Sequence, residues 1–248
     1  MGHWYEQRES AGGVVRITEP KVRALLSANV WWLRGADRDL VVDAGLGVVP
    51  LRAALPQLFA RDPLLVLTHA HLDHVGGAPE FRSRAAHAAA AELLGRGVPA
   101  SLYGAELSRQ LGIPADGAPL PELLLKALPY PDYDPATYRI GPITLTQHLH
   151  DGDRIDLGDR SLTVLHLPGH TPGCLALLDE HTGELYSGDV IYDGDLIDDL
   201  PESDIPTYRR SLQLLADLDI ALIHPGHGPS FPATRLRELT AAYLRATD

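Results

Sequence analysis

The chain has 248 residues, 45% of them hydrophobic, and a formal net charge of −12 at neutral pH. This length is enough for one α/β domain with a large hydrophobic core. The negative charge, without a basic stripe, argues against a nucleic-acid partner, and no segment approaches the roughly 20 apolar residues that a membrane span requires.

The N-terminal segment lacks the apolar core of a signal peptide, so the sequence predicts a cytosolic protein that does not bind membranes. The single cysteine, Cys174, excludes an intrachain disulfide, and we interpret it as a buried packing residue. We predict one domain over residues 1–248, with a homodimer as a candidate assembly.

Short apolar runs bounded by turn residues predict strands, and longer runs with helical spacing predict helices. The first part of the chain predicts strands over residues 14–17, 30–33 and 40–42, a helix over 51–59 and a buried strand over 64–67. An alanine-rich stretch over residues 82–95 predicts a further helix, because alanine has the highest helix propensity.

A dense polar cluster follows the predicted strand 64–67. Residues 68–77 read Thr-His-Ala-His-Leu-Asp-His-Val-Gly-Gly, and the four side chains of His69, His71, Asp73 and His74 cannot all point inward unless they converge on a cation. In an extended loop, His69 and His71 can turn to one side while Asp73 and His74 diverge to a neighbouring position. The cluster therefore predicts two metal ions, on a loop that a strand end holds rigidly.

Residues 97–138 are rich in Pro, Gly, Leu and Tyr. We predict that this segment forms a lid over the site, which would favour a substrate with a hydrophobic chain. The apolar side chains available for this lid are Leu120, Leu123, Leu124, Leu125, Leu128, Tyr130, Tyr133 and Tyr138. Arg109, Lys126 and Arg139 could meet a phosphate or carboxylate of the substrate.

The rest of the chain predicts strands over residues 143–149, 154–157, 162–167, 175–178, 185–186 and 220–223, with helices over 206–218 and 233–247. Three more polar side chains follow such strands: His170 in Pro-Gly-His, Asp189 in Ser-Gly-Asp and His227 in Pro-Gly-His. The glycines and prolines beside them permit a sharp backbone turn next to an ion.

These motifs resemble those of metal-dependent hydrolases of the metallo-β-lactamase fold superfamily, over roughly residues 41–228. The resemblance implies an αββα sandwich, in which two mixed sheets pack face to face between flanking helices. Carried over position by position, it implies one metal ion held by His69, His71 and His170, a second held by Asp73, His74 and His227, and both bridged by Asp189. It also implies that Asp43 steadies the ligand loop by hydrogen bonding.

Two divalent ions about 3.5–4 Å apart lower the pKa of a shared water and supply hydroxide near neutral pH. Imidazole and carboxylate ligands without cysteine suit zinc, iron or manganese, and we predict zinc first. The expected reaction is attack on an ester-like carbonyl, with Asp73 relaying a proton to the leaving group.

Two branches of the superfamily share further residues with this chain. Tyr192, three residues after Asp189, matches the tyrosine that N-acyl-homoserine lactonases place over the metals. Residues 193–201 resemble the acyl-coenzyme A thioesterase branch. Both branches cleave an acyl group from oxygen or sulfur, so we predict hydrolysis of the thioester or lactone of a small acyl compound, with Asp73 and Tyr192 as catalytic residues.

Three alternatives remain. A β-lactamase-type amide hydrolase would use the same chemistry, but those enzymes have cysteine in the second metal site where this chain has Asp189. A non-hydrolytic iron enzyme, such as a persulfide dioxygenase, would need iron and oxygen. Glyoxalase II enzymes have similar metal motifs, but their helical extension is longer than the short segment that follows His227 here.

The remaining histidines have weaker signals. His87 and His181 are expected at the surface, and His148 and His150 at a strand edge. His166 and His224 each lie three or four residues before a predicted ligand, so either could orient that ligand by hydrogen bonding.

Overall fold

The computed structural model describes residues 4–113 and 119–247. These residues form two sheets that face each other, with helices on the outer side of each sheet. The first sheet has strand order β1-β2-β3-β4-β5-β6-β7, and the second has strand order β13-β12-β11-β10-β9-β8. The predicted αββα sandwich is confirmed.

The strands are short and follow one another along the chain within each sheet. The first sheet contains β1 (Glu6–Glu9), β2 (Val14–Thr18), β3 (Val30–Leu33), β4 (Leu40–Val42), β5 (Leu64–Leu67), β6 (Ser83–His87) and β7 (Gln147–Leu149). The second sheet contains β8 (Arg154–Asp156), β9 (Ser161–His166), β10 (Leu175–Asp179), β11 (Glu184–Gly188), β12 (Leu222–Pro225) and β13 (Phe231–Pro232).

Six α-helices lie within the described ranges. They are α1 (Leu51–Ala54), α2 (Leu72–Val75), α3 (Ala91–Arg96), α4 (Gly104–Leu111), α5 (Ile205–Ala216) and α6 (Ala233–Ala246). None of them has the length and apolar character needed to cross a bilayer.

The hydrophobic residues form three layers of core. The central layer lies between the sheets and takes side chains from both, such as Val66 from β5 and Leu177 from β10. Leu65 and Leu67 of β5 point the other way, into the layer beneath the helices of the first half. Because β5 is buried on both faces, its sequence is a continuous apolar run, as in parallel strands covered by helices on one side and a second sheet on the other.

Strand direction brings the polar motifs to one edge of the sandwich. In the first sheet, β4, β5 and β6 are parallel, so their carboxyl ends lie together. In the second sheet, β11 is parallel to β12, and β9 runs in the same direction because both pair antiparallel with β10. The loops that follow β5, β9, β11 and β12 therefore meet at the same edge, between the sheets.

The predicted helix over residues 82–95 is wrong. Residues Ser83–His87 form β6, which pairs in parallel with β5, and only Ala91–Arg96 form an α-helix. Ala85 and Ala86 are both fully buried, on opposite faces of the sheet. Sheet pairing and burial on two sides outweigh the helix propensity of alanine, which is a small term per residue.

Other boundaries differ for local reasons. The predicted helix 51–59 is interrupted at Leu55, because the residue before a proline, here Pro56, disfavours helical backbone angles. The predicted strand 143–149 is shortened to β7, and the predicted strand 220–223 is shifted to β12. Helix α4 lies in a segment for which only a lid was predicted.

Candidate metal centre

The histidine-rich cluster lies between the end of β5 and a short helix. His69 and His71 precede α2, whereas Asp73 and His74 lie in its first turn. This helical turn, rather than an extended loop, directs the two pairs to different positions. Gly76 lets the chain leave α2 against another loop, since a Cβ there would overlap the carbonyl group of Leu46.

Three imidazoles converge at one position. His71 Nδ1 is 3.1 Å from His69 Nε2 and 3.1 Å from His170 Nε2. His69 and His170 are almost completely buried, and His71 lines the cavity described below. Residues from the loops after β5 and β9 thus form one compact triad across the two sheets.

In each ring of the triad, the outer nitrogen, which points away from the other two rings, already has a hydrogen-bond partner. His170 Nδ1 donates to the carbonyl oxygen of Ile197 at 2.8 Å, and His71 Nε2 donates to a carboxylate oxygen of Glu202 at 3.0 Å. His69 Nδ1 donates to Thr68 Oγ1 at 3.0 Å. Because a neutral imidazole carries one proton, the inner nitrogens are left as three facing lone pairs, which only a cation can stabilise.

Carboxylates and two further imidazoles form a second group beside the triad. His227 Nε2 is 3.2 Å from Asp73 Oδ2 and 3.4 Å from Asp189 Oδ2. His74 Nε2 is 3.4 Å from Asp189 Oδ1 and 3.6 Å from Asp73 Oδ2. Asp189 also lies 3.9–4.0 Å from His69 and His170 of the triad, so its carboxylate stands between the two groups.

The second group leaves polar atoms without hydrogen bonds. Among the described residues, His74 Nε2 and Asp189 Oδ1 are fully buried and have no hydrogen-bond partner. Leaving such groups unpaired is costly, and buried acceptors that face one another fit a metal ion better than a proton. The residues that converge here form three overlapping groups with metal-ligand spacing: His69, His71 and His170; His69, His74 and Asp189; Asp73, His74 and His227.

The electrostatics of the two groups differ. Burial, reinforced by His71, lowers the pKa of His170 to about 4, so this imidazole stays neutral near pH 7. Burial would also lower the pKa of His227, but the carboxylates of Asp189 and Asp73 outweigh it and raise that pKa to about 10. The second group therefore attracts positive charge, while the triad offers neutral lone pairs.

Asp43 connects the two groups. Its carboxylate accepts hydrogen bonds from the backbone N–H of Thr68 at 2.8 Å, from the Thr68 hydroxyl at 2.8 Å and from His74 Nδ1 at 2.7 Å. Its backbone has φ = 62°, a conformation that aspartate adopts more readily than most residues. One carboxylate thus orients His74 directly and His69 through Thr68.

The loop that carries His227 is held by residues from the other sheet. Asn29 donates from its side chain to the carbonyl oxygens of Pro225 and Gly228, at 2.9 and 2.8 Å. Trp31 Nε1 also donates to the Pro225 carbonyl oxygen at 3.0 Å. Sequence reasoning missed Asn29 and Glu202, because each acts on a loop that is distant along the chain.

Tyr192 lies beside the second group. Its ring centroid is 5.7 Å from that of His227, and its side chain lines the cavity over the cluster. Its hydroxyl donates to the carbonyl oxygen of Asp195 at 2.8 Å and accepts from the N–H of Ile197 at 3.1 Å. The phenol is thus engaged by its own loop, and its bonding to a substrate stays a prediction.

A cavity of about 810 Å³ opens over the cluster. His71, Asp73, His170, Asp189 and His227 lie at its floor. The walls are largely apolar and come from three parts of the chain, which contribute Leu25, Leu26, Leu93, Leu107, Leu111, Ile113, Leu120, Ile197 and Leu200.

Part of the segment 97–138 forms this wall. Helix α4 and its surroundings line the cavity, whereas Leu124, Leu125 and Tyr138 are buried in the core of the first half. Residues 114–118 lie outside the described residues. Of the three cationic side chains predicted to meet the substrate, Arg109 lines the cavity but pairs with Glu106. Lys126 and Arg139 do not line the cavity and donate to backbone carbonyl oxygens elsewhere.

Three of the remaining histidines have their contacts outside the cluster. His87 is buried and stacks on the ring of His166 with centroids 3.6 Å apart, so its predicted exposure is wrong. His166 Nε2 bonds to the carbonyl oxygen of Pro172, and His224 Nδ1 bonds to Ser230 Oγ. No described contact joins either ring to a converging residue of the cluster.

Cys174 is a buried free thiol, as predicted. Burial raises the pKa of this thiol to about 12, so it stays protonated and unreactive at neutral pH.

Comparison with known proteins links this arrangement to a family. The sequence-family model of the metallo-beta-lactamase superfamily matches residues 23–227 of this chain. Acyl-coenzyme A thioesterase MBLAC2 of Bos taurus is 36% identical over 261 residues, which cover 97% of this chain and 87% of that protein. Hydroxyacylglutathione hydrolase of Aeromonas salmonicida is 30% identical, over 83% of this chain and 63% of its own length.

Solved structures agree with the fold. A metallo-beta-lactamase family protein from Thermus thermophilus superposes with a TM-score of 0.69 at 24% identity, covering 94% of this chain and 80% of the other. A protein crystallised in a di-iron-bound form superposes with a TM-score of 0.59 at 27% identity, covering 88% of this chain and 96% of the other.

Proposed function

The chain belongs to the metallo-beta-lactamase superfamily of metal-dependent hydrolases, and we propose that it is a two-metal thioesterase acting on acyl thioesters with a hydrophobic acyl chain. One observation carries this proposal: seven histidine and aspartate side chains converge, five of them at the floor of a largely apolar cavity and two buried beneath it. In this proposal the residues at the floor hold the metal ions that activate water, and the apolar walls bind the acyl chain of the substrate.

The proposed ligands fall into two sets, one for each metal ion, which correspond to the two groups of side chains described above. His69, His71 and His170 would hold one ion; Asp73, His74 and His227 would hold the other, with Asp189 between them. The similar protein in a di-iron-bound form supports two ions. We propose zinc as the first choice, with iron or manganese as alternatives, because histidine and carboxylate ligands suit all three. Ions held there would polarise an acyl carbonyl and lower the pKa of water to near neutrality.

The chain's own residues have distinct roles in this proposal. Asp73 lines the cavity, with its carboxylate 3.2 Å from His227 Nε2, so it is placed to take up a proton and pass it to a departing thiolate. Tyr192 is proposed to donate to the substrate carbonyl after exchanging its bond to Asp195. The apolar walls exclude water from the acyl chain.

The choice of thioester comes from the relatives and the cavity together. Both curated relatives described above are named for hydrolysis of an acyl-coenzyme A or a hydroxyacylglutathione. The leucine and isoleucine side chains from residues 25–26, 93–120 and 197–200 give the cavity an apolar surface that suits an acyl chain. We therefore propose that the described part of residues 97–138 acts as the substrate-binding wall. For the protein as a whole, the cytosolic location, the single domain and the homodimer stay predictions.

A substrate panel on metal-quantified protein tests the proposal. Acyl-coenzyme A of increasing chain length, an acyl-homoserine lactone, lactoylglutathione and nitrocefin are compared, with oxygen consumption on glutathione persulfide as a further arm. We expect the highest kcat/KM for a long-chain acyl-coenzyme A. Preference for the lactone, for nitrocefin or for the persulfide overturns the thioesterase assignment, whereas preference for lactoylglutathione overturns the hydrophobic acyl chain. Full activity in Asp189→Asn combined with His71→Ala overturns the metal mechanism.

A further inference from the structure

Glu202 lies next to the proposed first metal site, on a loop far from it in sequence. We infer that Glu202 is a positioning residue that fixes the ring of His71 and so sets how tightly the first metal ion is held. This inference rests on the proposed two-metal function. His71 and Glu202 are 131 residues apart, and their contact is 3.0 Å between Nε2 and a carboxylate oxygen.

The hydrogen bond determines which nitrogen of His71 is free. An ionised carboxylate can only accept, so Nε2 carries the ring proton and Nδ1 keeps its lone pair. That Nδ1 is the atom at 3.1 Å from the inner nitrogens of both His69 and His170. Without Glu202 the other tautomer, or a turned ring, would place an N–H where a lone pair is needed.

His71 is the triad member that packing constrains least. Its side chain is 13% exposed, compared with 0% for His69 and 1% for His170. A buried ring is fixed by its neighbours, whereas a ring at the cavity surface needs a specific bond. Glu202 supplies that bond from the cavity wall.

Glu202 is itself held in place by the loop of another ligand. Ser203 donates from its backbone to the Leu200 carbonyl oxygen at 2.9 Å and from its hydroxyl to the His170 carbonyl oxygen at 2.9 Å. Asp204 donates from its backbone to the Gly169 carbonyl oxygen at 2.8 Å. The turn with Glu202 is therefore fixed to the loop that carries His170.

One segment thus orients two of the three triad rings from outside. The Ile197 carbonyl oxygen accepts from His170 Nδ1, and Glu202 accepts from His71 Nε2. A carboxylate partner also increases the basicity of the imidazole more than a neutral carbonyl does. Loss of Glu202 should therefore weaken the first metal site and leave the second, which Asp43 supports, intact.

Metal binding tests this inference without any substrate. Zinc is titrated into metal-free wild type, Glu202→Ala and Glu202→Gln against a chromophoric chelator, which yields two successive dissociation constants. We expect Glu202→Ala to weaken one site roughly 10–100-fold and to leave the other unchanged. Glu202→Gln should recover part of the loss, because its amide oxygen can still accept from Nε2.

The tautomer of His71 gives an independent readout. In metal-free protein labelled with ¹⁵N-histidine, we expect the Nε2-protonated form in wild type and a mixture of tautomers in Glu202→Ala. Glu180→Gln is the matched control, because Glu180 is a carboxylate that is 56% exposed and pairs with Arg154 on the surface. Circular dichroism confirms that each variant is folded.

Two outcomes distinguish a failure of this inference from a failure of the proposed two-metal function. If wild type binds two zinc ions and Glu202→Ala binds both as tightly, with an unchanged His71 tautomer, the inference is wrong and the proposed function stands. If wild type binds no zinc, iron or manganese, both fall together.

Discussion

Asp43 shows how one side chain can organise a site that it does not enter. Three donors, two from Thr68 and one from His74, share its two oxygens. The outer nitrogens of His69, His71, His170 and His74 are all bonded in this way, by Thr68, Glu202, Ile197 and Asp43. The inner nitrogens are therefore fixed as lone pairs before any ion binds.

Replacing Asp43 should weaken metal binding at the candidate centre. In Asp43→Asn the amide nitrogen cannot accept: at the Oδ2 position it would face the Thr68 hydroxyl and His74 Nδ1, and at the Oδ1 position it would face the Thr68 N–H, so at least one donor loses its acceptor. We expect zinc affinity at one or both proposed sites to fall roughly 10–100-fold. Asp62→Asn is the matched control, because Asp62 also has positive φ and lies at the surface. Zinc titration against a chelator measures the effect, and equal affinities in the two variants would contradict the prediction.

Glu19 is a buried carboxyl group beneath the site. It accepts from Trp4 Nε1 at 2.8 Å and from the backbone N–H of Leu46 at 2.9 Å. Burial raises its pKa to about 7, although these hydrogen bonds lower it in part. The folded protein therefore holds this proton at a pH where the unfolded chain has lost it.

Stability should consequently depend on pH through Glu19. A carboxyl group with a raised pKa in the folded state stabilises fully below its unfolded value of 4.5, and this contribution disappears as the pH rises through about 7. Between pH 5 and 8 we expect the free energy of unfolding of wild type to fall by about 2–3 kcal/mol more than that of Glu19→Gln, because glutamine cannot titrate. Urea unfolding of both proteins at the same metal loading measures this, and parallel pH profiles would refute it.

At the scale of the element, the ends of β5 and β11 are the critical contact. Gly188 ends β11 directly before Asp189 and has φ = 48°. A Cβ at this position would overlap the side chain of Thr68, which follows β5. Because the Thr68 hydroxyl bonds both Asp43 and His69, the fit of these two strand ends determines the geometry of the site.

Gly188→Ala should therefore reduce both stability and metal binding. Overpacking together with left-handed backbone strain is expected to cost roughly 2–4 kcal/mol of unfolding free energy. Gly95→Ala is the control, because Gly95 lies within α3, has open space around its Cα and should gain roughly 0.5–1 kcal/mol. Urea unfolding and zinc titration are measured on both, and a Gly188→Ala protein as stable as wild type would disprove the expected clash.

The elements also show what the sequence could predict. Strand β5 was predictable as an apolar run between Pro63 and Thr68. The loops with His170, Asp189 and His227 were predictable because glycine or proline follows an apolar run there. Strand β6 was not, since its alanines favour a helix until β5 supplies hydrogen-bond partners. The roles of Asn29 and Glu202 depend on loops that approach only in the folded chain, so no local pattern marks them.

At the scale of the whole molecule, the candidate centre joins two sheets. His69, His71, Asp73 and His74 follow a strand of the first sheet, and His170, Asp189 and His227 follow strands of the second. Direct backbone bonds across this edge exist as well, from Leu175 to Thr68 at 3.0 Å and from Asn29 to Gly226 at 2.6 Å. Metal ions would add cross-links at the same edge, where buried carboxylates and imidazoles otherwise face one another.

Unfolding should therefore depend on free metal. Ligands from both sheets are brought together only in the folded protein, so each site should add about 4 kcal/mol of stability when free zinc is about 1,000 times its dissociation constant. The urea midpoint is expected to rise with zinc buffered at increasing concentrations and to fall when EDTA is added. His71→Ala combined with Asp189→Asn removes ligands of both groups and should flatten this dependence. The same rise in midpoint in that double variant would show that zinc stabilises the fold elsewhere.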